Sequence, residues 1–436
     1  MAILLDLIYA LVVCLGSPFL LYRRLRRGPG SLSLGERLGG APTRSGDQPC
    51  LWIHGVSLGE INAARTVIEE IDKQAPDAVV VVSSTTQTGM ERARRLYPNR
   101  IVFRFPLDFS FIIRRVMRRL RPSIIVLMEL EAWPNLIEVA VAEGVPTAIA
   151  NGRVTEEKSM RRFSRPVIRS LARRMFRRIS WVGAQDDEYA ERFVRLGVPA
   201  ERVETVGAVK YDAADISDRI EGQDELAAEL GVDLDKPLWV CGSTGPDEEA
   251  LILEAYDRVR ERAPEMQLAI IPRKPERFDQ VARLIVERGY ACRRRSGKAV
   301  RSESGSRERV GASEPTVVFL GDTMGELRKF YALATLVFVG RSLVPMGGSD
   351  LMEAAGLAKP LLYGPHTKNF REAAALLLDG GGGRLVTDAD TLAGALVDLF
   401  NDAPARGKMG QAARAVIVSR RGAAERTVRR LLSLIN

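Results

Sequence analysis

Several segments carry side chains that could do chemistry. The first, Leu51-Trp52-Ile53-His54-Gly55-Val56-Ser57-Leu58-Gly59-Glu60, reads as a strand, a glycine loop and a helix start. It contains Gly-x-Ser-x-Gly from Gly55 to Gly59, the pattern of a hydrolase nucleophile elbow, with Ser57 as nucleophile and His366 downstream. Against that reading, this is the first strand of its sheet, and no earlier strand loop exists to supply an oxyanion donor. The other reading rests on Glu60. A carboxylate at the first helical turn, at the tip of a strand, can accept a proton from an attacking hydroxyl. It can equally do no more than complement the helix dipole. The residues alone leave both open.

The second segment, Met128-Glu129-Leu130-Glu131-Ala132-Trp133-Pro134-Asn135, ends a strand in two carboxylates followed by Trp-Pro. Glu129 and Glu131 share a face if the strand continues. Carboxylates beside an aromatic at a strand's carboxyl end suit polyol binding; the plainer reading is a cap for the helix at Asn135. Between these two, Ser83-Ser84-Thr85-Thr86-Gln87-Thr88-Gly89 places hydroxyls and N–H groups at a helix start. Such groups bind anions or sugar hydroxyls, or simply cap the helix.

The third set lies in the second half. Ile271-Pro272-Arg273-Lys274-Pro275-Glu276-Arg277 ends a strand in cations and suits a phosphate. Gly321-Asp322-Thr323-Met324-Gly325-Glu326-Leu327 is a strand-loop-helix turn able to hold a nucleotide by backbone groups. Gly347-Gly348-Ser349-Asp350-Leu351-Met352-Glu353 opens a helix after a glycine pair, with N–H groups for a phosphate and Glu353 for a ribose diol. Three such turns in one half point to a nucleotide site. Neither a Walker A motif nor Gly-x-Gly-x-x-Gly is present, which disfavours an NTPase or a dehydrogenase.

The elements that must hold these residues alternate. From residue 48 onward, short apolar runs (Leu51–His54, Ala78–Ser83, Ile101–Phe105, Ile124–Met128, Thr147–Ala150) alternate with helical patterns, and a second series starts near residue 237. Strands alternating with helices imply βαβ units and a parallel sheet. The runs VVVVS and IIVLM lack polar alternation, as expected of strands buried on both faces. The expected organisation is two doubly wound α/β domains: residues 28–212, an interdomain crossing at 213–236, and residues 237–436, with the last helix returning to the first domain. The stretch 293–315 reads as a mobile surface loop. In such sheets ligands bind at the carboxyl ends of the strands, and two facing domains make a cleft. That suits a glycosyltransferase with two Rossmann-like domains, though fold alone decides no function.

Composition narrows the classes. The chain has 436 residues, which suggests two or three domains. Four scattered Cys without a Cys-x-x-Cys argue against a disulfide scaffold or a Cys-type zinc site. Two His exclude a three-His metal centre. Only 6% of residues are aromatic, which argues against a nucleic-acid reader built on stacking. The net charge of +9 points to an anionic partner or surface. Residues 2–22, AILLDLIYALVVCLGSPFLLY, approach the length of a membrane span, weakened by Asp6 and Pro18. Arg23-Arg24-Leu25-Arg26-Arg27 follows the run rather than preceding it, unlike a cleavable signal peptide. The expectation is an uncleaved anchor over residues 1–27, with the rest of the chain on the cytoplasmic side. The alternative is an apolar helix packed on the body of the protein. No second such segment exists, so the chain is no transporter.

Assembled, these residues resemble the 3-deoxy-D-manno-octulosonic acid (Kdo) transferases of lipopolysaccharide synthesis, glycosyltransferase family 30. The resemblance covers nearly the whole chain and rests on ordered motifs: His54-Gly-Val-Ser-Leu-Gly-Glu60, Glu129-Leu-Glu-Ala-Trp-Pro-Asn135, Asn151-Gly-Arg153, Gly207-Ala-Val-Lys210-Tyr-Asp212, Pro272-Arg-Lys-Pro-Glu-Arg277, Gly321-Asp-Thr-Met-Gly-Glu326 and Gly364-Pro-His-Thr367. It implies an α/β fold of the GT-B class, two Rossmann-like domains facing across a cleft behind the anchor helix. The first domain then binds an anionic lipid A precursor and the second binds CMP-Kdo, the donor substrate. Transfer inverts the anomeric centre and needs neither a metal nor a cofactor. The catalytic base falls on Glu60, and the transition-state stabilisers fall on Glu129 and Lys210. Donor contacts fall on Pro272, Arg273, Met324, Gly325, Glu326, Asp350, Leu351, Met352 and Glu353. Acceptor contacts are expected at Ser57, Gly59, Thr86 and Arg153. The expected location is the cytoplasmic face of the inner membrane, with the basic runs Arg114–Arg121 and Arg161–Arg178 toward anionic lipid and no nucleic-acid partner.

Two segments depart from the family pattern. Gly347-Gly-Ser-Asp-Leu-Met-Glu353 stands where the family usually has Gly-Gly-His-Asn-Pro-Leu-Glu, and Gly245 replaces the usual His after Ser-Thr. They keep one rival reading open, a transferase of the same fold with another donor or without activity.

Overall fold

The computed structural model describes residues 5–7, 9–11, 34–299 and 316–435. The apolar run 2–22 and the arginine cluster 23–27 lie outside the described residues except for 5–7 and 9–11, which are helical. Of the loop expected at 293–315, residues 300–315 lie outside as well, while Arg293 and Arg294 close a strand. Among the described residues no helix is long and apolar enough to cross a membrane.

The chain divides into two compact units, residues 1–213 with 420–436, and residues 214–419. In the first, strands β1 (Cys50–His54), β2 (Val79–Ser84), β3 (Val102–Arg104), β4 (Ile124–Met128), β5 (Thr147–Gly152), β6 (Trp181–Ala184) and β7 (Val203–Thr205) form one sheet. Their order is β3-β2-β1-β4-β5-β6-β7, paired in parallel. β1 and β4 are buried along their whole length. Helices cover both faces, so these strands need apolar residues on each.

Successive strand residues serve opposite cores. Trp52, Ile125 and Leu127 enter one core, and Leu51, Ile53, Val126 and Met128 enter the other. Helix α1 (Leu58–Gln74) covers the second, turning Ile61, Ala64, Ile68 and Ile71 inward at helical spacing. Cutting a buried Leu or Ile there to Ala costs about 2–5 kcal/mol. Helices α2 (Gln87–Leu96), α3 (Ser110–Leu120) and α4 (Pro134–Ala142) complete the crossovers that this site needs. The chain runs outward from β1 to β3 on one side and from β4 to β7 on the other. The boundary between β1 and β4 is thus the topological switch point, where ligands bind beyond the strand ends.

The second unit repeats the plan. Strands β8 (Leu238–Thr244), β9 (Gln267–Pro272), β10 (Ala291–Arg294), β11 (Val317–Leu320), β12 (Leu336–Val339), β13 (Leu361–Tyr363) and β14 (Gly383–Leu385) lie in the order β10-β11-β9-β8-β12-β13-β14, again parallel. Its switch point lies between β8 and β12. Residues 213–236 are more than a crossing. They contain helix α5 (Gln223–Leu230), which buries Leu226, Ala227 and Leu230 within this unit. Its polar, acidic look reflects a single apolar face. Helices α6 (Glu248–Arg260), α7 (Leu327–Leu333) and α8 (Met352–Gly356) each start beside a motif described below. The last helix, α9 (Ala423–Ser433), belongs to the first unit and buries Ala423, Val428 and Leu431 in the α1 core. Asp212 caps it, accepting from Gly422 N and from Ala424 N at 2.7 Å.

Candidate active site

In the first unit the site grows from the carboxyl ends of β1 and β4. Ser57 is the N-cap of α1; its Oγ accepts from Glu60 N at 3.3 Å and donates to Glu60 Oε1 at 2.7 Å. Glu60 Oε2 accepts from Val56 N at 2.8 Å. The buried Glu60 carboxylate therefore bonds the side chain that caps its own helix and holds the loop just before it. A carboxylate offers about four lone-pair sites, so two remain for a ligand. The helix-start role that the sequence suggested for Glu60 is compatible with these bonds, which fix the carboxylate's rotamer.

Neighbouring residues lock this loop. Val56 O accepts from Ser84 Oγ at 3.0 Å and Thr86 Oγ1 at 2.6 Å. Thr86 Oγ1 also accepts from Gly89 N at 3.1 Å and so caps α2. A Cβ on Gly89 would stand 2.2 Å from Ser84 Oγ, so only glycine fits. Ser57 has φ −104° and ψ 166°, ordinary extended backbone rather than the strained elbow of a hydrolase nucleophile. His54 is fully buried, stacked on Phe105 at 4.0 Å, with Nδ1 2.9 Å from Ser83 Oγ. Burial pushes its pKa down to about 3, so the ring stays neutral.

β4 ends at Met128, and Glu129 turns into the left-handed region at φ +56°. The expected strand-like alternation of Glu129 and Glu131 is therefore broken. Such backbone costs about 1–3 kcal/mol and persists where the surroundings impose it. Here Glu129 N donates to Ala150 O at 2.9 Å. Burial, then the charge of Glu60, raise the Glu129 carboxyl above its usual range, and Arg153 opposes. The same two causes push Glu131 up to about 7. The turn thus brings three carboxylates, Glu60, Glu129 and Glu131, within each other's field. Trp133 closes one side, 4.9 Å from Phe105.

β5 contributes a second strained residue, Asn151, at φ +54°. Its Oδ1 accepts from Val209 N at 3.3 Å, which ties the loop bearing Lys210 to this end of the sheet. The Lys210 ammonium lies 5.0 Å from the Tyr211 ring centre. Gly59 and Arg153 are exposed.

In the second unit the motifs gather at β8, β9, β11 and β12. Glu248, which the sequence reading did not single out, accepts from Gly245 N at 3.2 Å, Ser342 N at 2.9 Å, Leu343 N at 3.0 Å and Arg341 N. One buried carboxylate thus joins the loops after β8 and β12 across the switch point. A Cβ on Gly340 would stand 2.8 Å from its Oε2. Glu249 forms a two-pronged ion pair with Arg277 at 2.6 and 2.9 Å and accepts from Thr244 Oγ1 at 2.8 Å. Arg277, grouped with the phosphate cations on sequence, is buried in that pair; Arg273 and Lys274 stay exposed. In sequence, Glu248 and Glu249 look like ordinary acids of a helix's first turn, so only their distant partners reveal them.

Asp350 Oδ1 accepts from Met352 N at 2.8 Å, capping α8. Glu353 is raised by burial and then by Asp350, with Arg328 and Arg273 opposing. Leu351 and Met352 are buried, as is Pro272 at the end of β9. Met324 is 64% exposed beside Gly325 at φ +88°. The Glu326 carboxylate accepts from Arg295 at 3.0 and 3.2 Å and from Thr323 Oγ1. Among the described residues no group of His, Cys, Asp and Glu is placed to hold a metal ion.

Solved structures share this architecture. A putative UDP-N-acetylglucosamine 2-epimerase from Listeria monocytogenes matches 89% of this chain and 96% of its own, with a TM-score of 0.55 and 14% identity. A glycosyltransferase from Rickettsia africae matches 89% and 98%, with a TM-score of 0.55 and 11% identity. Two parallel seven-stranded sheets with helices on both faces are the GT-B fold of glycosyltransferases. A family model described as 3-deoxy-D-manno-octulosonic-acid transferase matches residues 33–213. The 3-deoxy-D-manno-octulosonic acid transferase of Haemophilus influenzae is 32% identical over 86% of this chain and 85% of its own. That of Bordetella pertussis is 32% identical over 94% of each. The chain belongs to the 3-deoxy-D-manno-octulosonic acid transferase family and is a glycosyltransferase.

Proposed function

We propose that this enzyme transfers Kdo from CMP-Kdo to a lipid A precursor in lipopolysaccharide core synthesis, inverting the anomeric centre in one displacement. The observation that carries the reading is the set of carboxylates around Glu60 at the β1–β4 switch point. Glu60 takes the proton of a sugar hydroxyl on the acceptor. That oxygen attacks the anomeric carbon of Kdo, and the bond to the CMP phosphate breaks. Arg273 and loop N–H groups receive the phosphate, whose charge grows in the transition state. Glu129 stabilises the positive charge developing on the sugar, and Lys210 steadies the Kdo carboxylate or the negative charge growing on the leaving phosphate. Ser57, Gly59, Thr86 and Arg153 contact the acceptor; for Ser57 and Thr86 this comes on top of capping. Metal independence rests on the family resemblance, so EDTA should leave the rate unchanged.

The rival donor reading rested on Asp350 and Gly245. Asp350 directs one oxygen to a helix N–H, as a neutral Asn could, which supports retention of the CMP-Kdo loop. For the membrane, the reading places the amino-terminal segment and α3 against anionic lipid at the cytoplasmic face of the inner membrane. Leu7, Leu11 and Phe111 are 63%, 60% and 63% exposed, beside the exposed Arg114, Arg115 and Arg118. Apolar and cationic side chains together suit a headgroup boundary. The test is purified protein with CMP-Kdo and a lipid A precursor, the products weighed by mass spectrometry. A mass gain of one or more Kdo units is expected. No gain with CMP-Kdo, but a gain with another nucleotide sugar, would overturn the donor.

A further inference from the structure

The turn that carries Glu129 and Glu131 runs straight into α4, whose own cap is poor. Trp133, at the N-cap, makes no side-chain capping bond, and Pro134 has no N–H. The first free N–H groups are those of Asn135 and Leu136. Both are taken by one side chain from elsewhere: Asp108 Oδ2 accepts from Asn135 N at 3.0 Å, and Oδ1 from Leu136 N at 2.8 Å. Asp108 lies in the loop between β3 and α3 and is buried. Burial pushes the Asp108 carboxyl up to about 7 while these two N–H bonds oppose the shift; one side chain accepting from two orphan N–H groups at a helix start is a strong hold.

A second carboxylate repeats the device one step outward. α3 also lacks a side-chain cap of its own. Asp6, from the amino-terminal segment, accepts from Ser110 N at 2.8 Å and from Ser110 Oγ at 2.5 Å. The Asn135 side chain joins the two carboxylate-bearing segments, donating to Asp6 Oδ1 at 2.9 Å and to Asp108 O at 2.6 Å. Tyr9 OH donates to Asp108 Oδ2 at 3.2 Å, and its ring meets Phe109 edge-on at 6.0 Å. A polar residue in an otherwise apolar run thus has a partner set, and that set ends at the carboxylate-bearing turn.

We propose that Asp108 is a positioning residue for the Glu129–Trp133 turn, and that Asp6 makes the amino-terminal segment part of its support. On this view the segment arms the catalytic turn as well as meeting lipid, and its removal costs turnover even where membrane attachment is irrelevant. The inference rests on the proposed roles of Glu60 and Glu129, so its test includes a readout that needs no activity.

The test uses the full chain with Asp6→Ala and, separately, Asp108→Asn. Amide hydrogen exchange is followed over residues 129–137. Asp6→Ala should raise exchange there about 10-fold while β4 and α1 stay protected. Transfer is then measured with acceptor dispersed in detergent, so that membrane affinity cannot limit the rate. kcat should fall about 10-fold in each variant with KM for CMP-Kdo unchanged, since a small displacement of catalytic groups costs that much or more. Asp6→Asn, which keeps an oxygen for Ser110, should recover most of both losses. Unchanged exchange at 129–137 in folded Asp6→Ala, or unchanged kcat in detergent, overturns the proposal. If Asp108→Asn does not fold, Asp6→Ala decides alone, because Asp6 is only partly buried. A wild type that transfers nothing from CMP-Kdo would sink the functional reading, and the exchange result would still decide this one.

Discussion

Replacing Glu60 by Gln separates the two roles that its position allows. In the protein, Oε2 accepts from Val56 N and Oε1 accepts from Ser57 Oγ. The Gln amide oxygen can keep the first bond. Its NH2 can donate to Ser57 Oγ in place of the second, because that hydroxyl can accept from two donors. Shape and bond count are thus retained, and only the charge assistance is lost, about 1 kcal/mol or less of stability. Part of that is offset, since the Glu60 charge also raises Glu129 and Glu131. Proton acceptance, by contrast, is abolished. A positioned base contributes about 10²- to 10⁴-fold, or about 3–5 kcal/mol of transition-state stabilisation. The expected variant melts near the wild-type temperature, binds CMP-Kdo with near wild-type affinity by calorimetry, and turns over about 10²- to 10⁴-fold more slowly. Near wild-type transfer by folded Glu60→Gln would remove Glu60 as the base and make Glu129 the next candidate. A large loss of stability with normal turnover of the folded fraction would reduce Glu60 to its cap.

Three further tests probe the two units. Burial and the Glu60 charge hold Glu131 near pH 7, above the unfolded value of about 4.3. A carboxyl that binds its proton more tightly when folded makes stability fall as pH rises between those values. Glu131→Gln should therefore stabilise the protein by up to about 3 kcal/mol at about pH 8 and leave it unchanged near pH 4; thermal melts showing the same shift at both pH values would contradict this. Asp350→Asn keeps an acceptor for Met352 N and removes a carboxylate that raises Glu353. If the other carboxylate oxygen faces the donor phosphate, CMP-Kdo binding should tighten by about 1 kcal/mol; equal or weaker binding by calorimetry would mean that Asp350 serves the helix N–H or a sugar hydroxyl instead. Glu249→Ala strands the buried Arg277 guanidinium and should cost about 3–5 kcal/mol in urea unfolding. Adding Arg277→Met should recover most of it, whereas an additive loss would mean that the pair is not the cause.

Much of the fold was legible because a doubly wound sheet writes itself locally. β4 appears as IIVLM and β1 as CLWIH, each an uninterrupted apolar run, because helices on both faces remove the polar alternation. The loop motifs were legible for a related reason: they sit directly after those runs, where a parallel sheet places its ligand sites. What escaped was long-range pairing. Glu248 reaches loops more than ninety residues away, and nothing beside it in the chain announces that. Arg277 looked like its neighbours Arg273 and Lys274 until burial assigned it to Glu249. The strand-like spacing of Glu129 and Glu131 misled because β4 ends one residue earlier, in a left-handed turn. α5 was hidden in an acidic stretch because one short apolar face is enough to dock it.

The weighing of capping against chemistry, which the residues could not settle, takes a different form once the partners are known. Ser57, Thr86, Asp108, Asp212, Glu248 and Asp350 all satisfy backbone N–H groups at helix starts or in loops. Apart from the start of α9, which Asp212 caps, the helix starts among them follow strands of the sheets, on the side where the fold also puts its ligand sites. A transferase needs its groups fixed before the substrate arrives, because stabilisation of developing charge depends on dipoles that do not have to reorganise. A capping carboxylate meets that need: its rotamer is set by the backbone it caps, and the lone pairs that the cap leaves unused stay available to a ligand. Glu60 is then a better base for being a cap. The same reasoning explains why the strained Glu129 is followed by a helix capped from a distant loop. A turn held in unfavourable backbone must be held at both ends, by Ala150 O on one side and by Asp108 on the other.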